Sequence, residues 1–288
     1  MSLRHFSKRC EGFYQRRAAS YFSRRPFSLR SECAYISFTF DDFPRSALLA
    51  GGAILQKAGL TGTYYAALGL MGQCAPTGEM FLEQDLTSLL QAGNELGCHT
   101  FAHCHSWNTD TTVFERSIMD NRSALARLIP GAEFKTFAYP ISVPRPQTKA
   151  RMGALYACSR GGGQQLNAGS ADLNNLSAYF LEMDRGDPKP MRATIDRNRE
   201  KRGWLVFATH DIAERPTPYG CTPEYFAEVV ECAVASGARI LPVATVLEEL
   251  GAIRCDKETL AATAEAPNSY FTLNWTTGAD GSVTPDPE

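Results

Sequence analysis

Short apolar runs and amphipathic stretches alternate through the middle of this chain. Residues 34–40, Ala-Tyr-Ile-Ser-Phe-Thr-Phe, are rich in aromatic and β-branched side chains and stop at Asp41-Asp42-Phe43-Pro44, which predicts a strand. Similar runs predict strands over 61–68, 97–100, 133–139, 177–183, 204–209 and 239–242. Between them, the pattern predicts helices over 46–59, 80–90, 111–128, 146–155, 191–200, 222–236 and 244–250. Pro44 and Thr222-Pro223 suit helix starts, and Gly93-Asn94 and Pro130-Gly131 suit helix ends. Strand-then-helix repetition implies parallel strands joined by crossover helices. Roughly seven such units predict an α/β fold, a distorted or incomplete (β/α) barrel of about seven strands, with an open doubly wound sheet as the competitor. No Gly-x-Gly-x-x-Gly follows a strand, which argues against a dinucleotide site, and Gly161-Gly162-Gly163 lacks the rest of a phosphate loop and reads as a flexible loop.

Charge divides the chain further. Residues 1–31 carry eight Lys or Arg against one acid, or +7, and the net charge of −2 leaves −9 for the remainder. This predicts a solvated basic leader over 1–31, with contact to a membrane surface or an anionic polymer as the other reading. The barrel is then expected over 32–253, and a polar acidic tail over 254–288. With 288 residues, 44% of them hydrophobic, the chain needs no disulfide or structural metal to fold. The balance of charge argues against nucleic acid as main partner. No apolar run reaches the ~20 residues of a membrane span. Ser23-Arg24-Arg25-Pro26-Phe27 looks like an export signal, but Arg30 and Glu32 interrupt the apolar stretch that such a signal needs. Nine cysteines without a framework spacing predict reduced thiols and a cytoplasmic location. Nothing in the pattern sets an oligomeric state.

Polar chemistry collects at predicted strand ends. Asp41-Asp42 ends one strand, His99 and His103 follow a second, Tyr139-Pro140 ends a third and His210 ends a fourth. In a (β/α) barrel these ends share one rim, where active sites lie. His99 and His103, four positions apart, can face one point as metal ligands, and a catalytic zinc site needs a third protein ligand, for which a carboxylate of Asp41-Asp42 is suited. A structural zinc site using the flanking Cys98 and Cys104 is the weaker alternative.

The residues Thr39-Phe40-Asp41-Asp42, His99-Thr100-Phe101-Ala102-His103 and the apolar run 205–209 ending in His210 resemble the polysaccharide deacetylases, carbohydrate esterase family 4, also called the NodB homology domain. The ordered set spans about residues 34–250. The resemblance implies a metal-dependent hydrolase that removes N-acetyl groups from an amino sugar or short N-acetylglucosamine oligosaccharide. Asp41 would be the general base, and Asp42, His99 and His103 would hold Zn²⁺ or another divalent transition metal that activates water. His210 would be the general acid. It also implies an oxyanion and substrate-binding group at the third motif, here Tyr139 and the Ile141 N–H.

Two departures stand out. Ala138 occupies the place of the family's base-orienting Arg, so Arg160, or else Arg185, is expected to take over. The family's fourth motif has no clear counterpart, although Asp184 or Asp187 is placed to back His210. Trp107, Trp204 and Tyr139 are candidates for stacking on sugars. Other functions to weigh are hydrolysis of a small amide, imide or ureide, an O-acetyl esterase, and a non-catalytic carbohydrate-binding protein.

Overall fold

The computed structural model describes residues 3–141 and 143–252, with two short strands at 275–277 and 283–285. The chain divides into two compact units, Met1–Ile253 and Arg254–Glu288. In the first, the strands are β1 (Pro26–Leu29), β2 (Tyr35–Phe40), β3 (Thr63–Ala66), β4 (Cys74–Ala75), β5 (Gly78–Glu79), β6 (Glu95–Cys98), β7 (Thr136–Ala138), β8 (Cys158–Arg160), β9 (Gly169–Asp172), β10 (Tyr179–Phe180), β11 (Trp204–Thr209) and β12 (Arg239–Ile240). The helices are α1 (Leu3–Tyr21), α2 (Ala53–Lys57, continuing a π-turn over Ala47–Gly52), α3 (Glu83–Gln91), α4 (Thr111–Leu128), α5 (Pro146–Leu155), α6 (Pro188–Lys201), α7 (Pro223–Ala235) and α8 (Val243–Glu249). In the second unit, β13 (Trp275–Thr277) pairs antiparallel with β14 (Val283–Pro285). The rest of the acidic tail lies outside the described residues.

A curled parallel sheet runs in the order β10-β11-β2-β3-β6-β7-β8. β12 pairs with the first residues of β2, and β3 pairs with the last, so β12 is wedged in at the base. Every residue of β2 and β11 is buried, as a strand covered by interior side chains on one face and helices on the other requires. Phe38 and Phe207 stack within the core at 5.6 Å between centroids, and Phe226 of α7 packs edge-on against Phe38. The two rims of the sheet, β8 and β10, meet only through the chain between β9 and β10. Leu176 there forms an isolated parallel bridge with Arg160 before the same chain continues as β10. The barrel is thus nearly, but not regularly, closed. No described helix is long and apolar enough to cross a membrane.

Part of the basic segment packs onto the fold while most of its described residues stay exposed. β1 pairs antiparallel with β9, and Ala18 and Ala19 of α1 are buried. Two of the cations near this junction are anchors. The guanidinium of Arg25 donates to the carbonyls of Gly153, Tyr156 and Ala157 at the end of α5. The buried ammonium of Lys149 donates to Ala19 O at 2.7 Å, to Phe22 O at 2.9 Å and to Asp172 at 2.5 Å. Helix C-termini present orphan carbonyls and partial negative charge, which these cations satisfy. A count of charges cannot tell an Arg in water from one bonded to a helix end.

Candidate active site

Each strand end delivers one part of the site. Asp41 and Asp42 follow β2, His99 follows β6, Arg160 ends β8, Glu182 lies on the 3-10 turn Leu181–Asp184 after β10, and His210 follows β11. Asp41, Asp42, His99, His103, Glu182 and His210 line one cleft of about 1210 Å³. The turns that present them are locally strained. Asp42, Phe43, Thr100, His103 and Ile141 all have φ between 50° and 61°. This region costs non-glycine residues about 1 kcal/mol or more each and clusters at functional sites. Helix α4 holds the histidine loop in this shape. Ser117 Oγ accepts from the Phe101 and Ala102 N–H groups, and Asn121 binds Ala66 O and the Leu68 N–H. Gly69 lets that loop approach, since a Cβ there would lie 2.5 Å from Phe101 O.

At the centre, Asp42 Oδ1 lies 3.4 Å from His99 Nε2 and 3.0 Å from His103 Nε2. Asp42 Oδ2 accepts a hydrogen bond from Thr77 Oγ1 at 3.0 Å. Oδ1 is buried and has no hydrogen-bond partner. His99 Nδ1 is 2.8 Å from Ala138 O, which can only accept, so a neutral His99 carries its proton there and turns the Nε2 lone pair to Asp42. These three ligand atoms lie within 4.8 Å of one another, close enough to share one cation. Burial raises the Asp42 pKa, but the adjacent His103 and His99 outweigh it and hold the carboxyl well below the usual range. Burial lowers the His103 pKa, and Asp42 more than reverses this. One carboxylate oxygen and two imidazole nitrogens form a donor set that a divalent transition metal fits.

Asp41 stays outside that set. Its carboxylate is paired with Arg160, and its N–H donates to Thr209 O at 2.9 Å, tying β2 to β11. Arg160 is fully buried, with its guanidinium 4.9 Å from the Tyr65 ring centroid and 5.8 Å from that of Phe180. His210 Nδ1 is 3.0 Å from Tyr219 O, which leaves Nε2 as its other polar atom. Neither Asp184 nor Asp187 backs His210. Asp184 accepts from the hydroxyls of Tyr179 and Tyr225, and Asp187 caps α6. Asp211, next in sequence, accepts from Thr217 instead.

The third-motif residues separate. Ile141 lines the cleft, and its N–H meets no backbone carbonyl of the described residues. Tyr139 is buried away from the cleft, its hydroxyl donating to Asn174 O at 3.0 Å, because it points into the layer of Phe137 and Tyr156. Trp204 is core, with Nε1 donating to Ser37 Oγ. Trp107 packs between Tyr14 and the Arg145 guanidinium. The expected Arg185 lies in the turn before α6, away from Asp41, which Arg160 holds. Glu182 is the residue that sequence reasoning missed. Burial, with the charges of Asp41 and Asp211 adding to it and that of Arg160 opposing, pushes its carboxyl up to about 8, and Oε2 is buried without a partner. Its only sequence signal was an acid within a run read as a strand.

Comparison with known proteins bears on this site. Residues 29–155 match the family model described as polysaccharide deacetylase. No curated protein matches the chain by sequence. Among solved structures, the chain is similar to a family 4 acetyl xylan esterase from Clostridium thermocellum in complex with a cobalt ion. That likeness has TM-score 0.54 and 18% identity, over 75% of this chain and 92% of that one. It is similar to the peptidoglycan deacetylase PdaC from Bacillus subtilis, with TM-score 0.50 and 17% identity, over 81% and 96% of the two chains. A family 4 pseudoenzyme from Bacillus anthracis also shares the fold, with TM-score 0.52 and 12% identity, over 76% and 67%. Over residues 29–155 the chain resembles the polysaccharide deacetylases, and its fold is that of these family 4 structures. Since that fold also carries a pseudoenzyme, activity has to be argued from the side chains at the rim.

Proposed function

We infer that the protein is a divalent-metal-dependent hydrolase that removes N-acetyl groups from an amino sugar or short N-acetylglucosamine oligosaccharide. The observation that carries this reading is the convergence of Asp42, His99 and His103 beside a second carboxylate, Asp41, held apart by Arg160. Asp42, His99 and His103 would hold zinc or another divalent transition metal, which when bound supplies Lewis-acid polarisation of the acetyl carbonyl and lowers the pKa of water. Asp41 removes the proton of the attacking water, a role worth about 10²–10⁴ in rate for a positioned base. Arg160 fixes the direction of that carboxylate. His210, oriented by Tyr219 O, delivers a proton from Nε2 to the departing amine. The Ile141 N–H is assigned to the oxyanion, which its place on the cleft and its lack of a carbonyl partner support. The seven described cysteines are all free thiols, which supports a reducing compartment such as the cytoplasm.

The test is acetate release from chito-oligosaccharides with and without chelator, beside metal analysis of the purified protein. Release is expected to stop on chelation and return with added metal, and His99→Ala is expected to lose metal and activity together. Full activity in a metal-free His99→Ala protein overturns the reading. Release from acetylated xylan alone makes the protein an O-acetyl esterase, and ring opening of a small ureide without acetate release moves it to that substrate class.

A further inference from the structure

Helix α1 lies outside the residues that match the family model, yet it forms part of the wall of the cleft. Arg16, Ala19 and Ser20 line the same cavity as Asp42, His99 and His103. The helix is fixed in that place from beneath, where Lys149 binds the carbonyls of Ala19 and Phe22 and Arg25 binds the end of α5. Along its outer side, Phe13, Arg17 and Tyr21 follow one another at four-residue spacing. The Arg17 guanidinium sits 5.3 Å from the Phe13 ring centroid and 5.7 Å from that of Tyr21, and it donates to the Tyr21 hydroxyl at 3.0 Å. Phe13 and Tyr21 are 58% and 65% exposed, and Tyr14 and Phe22 are exposed beside them. Neither Arg16 nor Arg17 pairs with a carboxylate among the described residues. The segment 1–31 carries +7 against −9 on the remainder.

We propose that α1 is a substrate-binding wall that selects an acetylated saccharide chain bearing negative charge, with Arg16 and Arg17 meeting its carboxylates and Phe13 and Tyr21 stacking on its sugar faces. This deepens the reading of the cleft as a deacetylase site and rests on it. A chain with an acetyl group at the Asp42 cluster would meet the cleft wall at Arg16, Ala19 and Ser20, and the row Phe13, Arg17 and Tyr21 lies on the exposed side of the same helix. Aromatic faces suit pyranose rings, and guanidinium groups suit carboxylates through paired N–H donors. The cationic wall on an otherwise acidic body gives the charge complementarity that would draw such a chain to the cleft.

Calorimetric titration of the full-length, metal-loaded protein tests this, with two acetylated hexasaccharides as probes. One is neutral chitohexaose, and the other is a hyaluronan hexamer, which alternates N-acetylglucosamine with glucuronate. The charged hexamer is expected to bind roughly fivefold tighter or better at low salt, the order of one exposed ion pair, with the preference shrinking as salt rises. Arg16→Glu and Arg17→Glu should each abolish the preference with metal content and melting temperature unchanged, and Phe13→Ala should weaken both hexamers alike. Should a Glu variant fail to fold, Arg16→Gln and Arg17→Gln replace it. Equal affinity of the wild type for the two hexamers overturns the proposal, as does a preference that survives both Arg substitutions. Binding of the wild type to phosphatidylserine vesicles through Arg17, with no discrimination between hexamers, reassigns α1 to a membrane surface and also overturns it. Loss of acetate release from every substrate defeats the deacetylase reading, while the binding preference still decides this one.

Discussion

Two carboxylates, one at each end of the sheet, show what separates structure from function here. At the base, Glu95 opens β6 and accepts from Thr63 Oγ1 at 2.9 Å, from Thr136 Oγ1, and from the Ala244 N–H at 2.9 Å. Those partners begin β3, begin β7 and lie in α8, so one side chain ties four elements together. At the rim, Asp42 follows β2 and leaves Oδ1 without a hydrogen bond, facing two imidazoles. Both groups have lost water; Glu95 is repaid in hydrogen bonds on both oxygens, and Asp42 on Oδ2 alone. The unsatisfied group is where a ligand is called for, and the satisfied one is where the fold is fastened.

The contrast breaks in a definite order under mutation. Asp42→Ala should abolish metal binding and acetate release, with a smaller loss of folding stability than Glu95→Ala; metal analysis and urea denaturation check both halves. Glu95→Ala should do the reverse. Removing it strands two hydroxyls and an N–H at about 1–3 kcal/mol each, so urea denaturation should show a loss of several kcal/mol with activity per folded molecule retained. Thr77→Ala, which removes the donor to Asp42 Oδ2, should weaken metal affinity about 10–100-fold in a competition titration without unfolding the protein.

A pH effect is expected at Glu182. Its carboxyl is raised to about 8 in the folded state, above the value of ~4.3 expected for the unfolded chain. Between those values the folded protein holds a proton that the unfolded chain releases. Stability from this group is therefore fully present below pH ~4.3 and is lost as pH rises to about 8. Glu182→Gln should match the wild type in melting temperature at low pH and exceed it at pH 9. An equal difference at both ends would show that the carboxyl is not perturbed.

Much of the fold was legible where local pattern and tertiary demand agree. Residues 111–128, 146–155 and 204–209 form α4, α5 and β11 over the expected ranges, since each is long enough to show its period or is apolar throughout. β8, β9 and β10 have two to four residues each and exist because neighbours pair with them, which no local pattern announces. The run read as a strand over 177–183 is β10 followed by a 3-10 turn, and that turn is what brings Glu182 into the cleft. Of the site, the carboxylates and imidazoles were legible because their residue types are chemically restricted. Tyr139 was misplaced because its position beside a motif says nothing about which way its ring turns. The glycine run 161–163 reads as a loop, and its Gly162 and Gly163 also line the cleft.

The bridge between Arg160 and Leu176 has a mechanical consequence. Arg160 is at once the last residue of β8, the tooth that engages Leu176 across the join, and the partner of the Asp41 carboxylate. The join of the barrel, made by backbone bonds of Ser159 and Gly161 to Leu176, and the orientation of its base therefore meet at one residue. A substitution at Leu176 that loosens the join shifts the backbone of 159–161, and with it the guanidinium that aims Asp41.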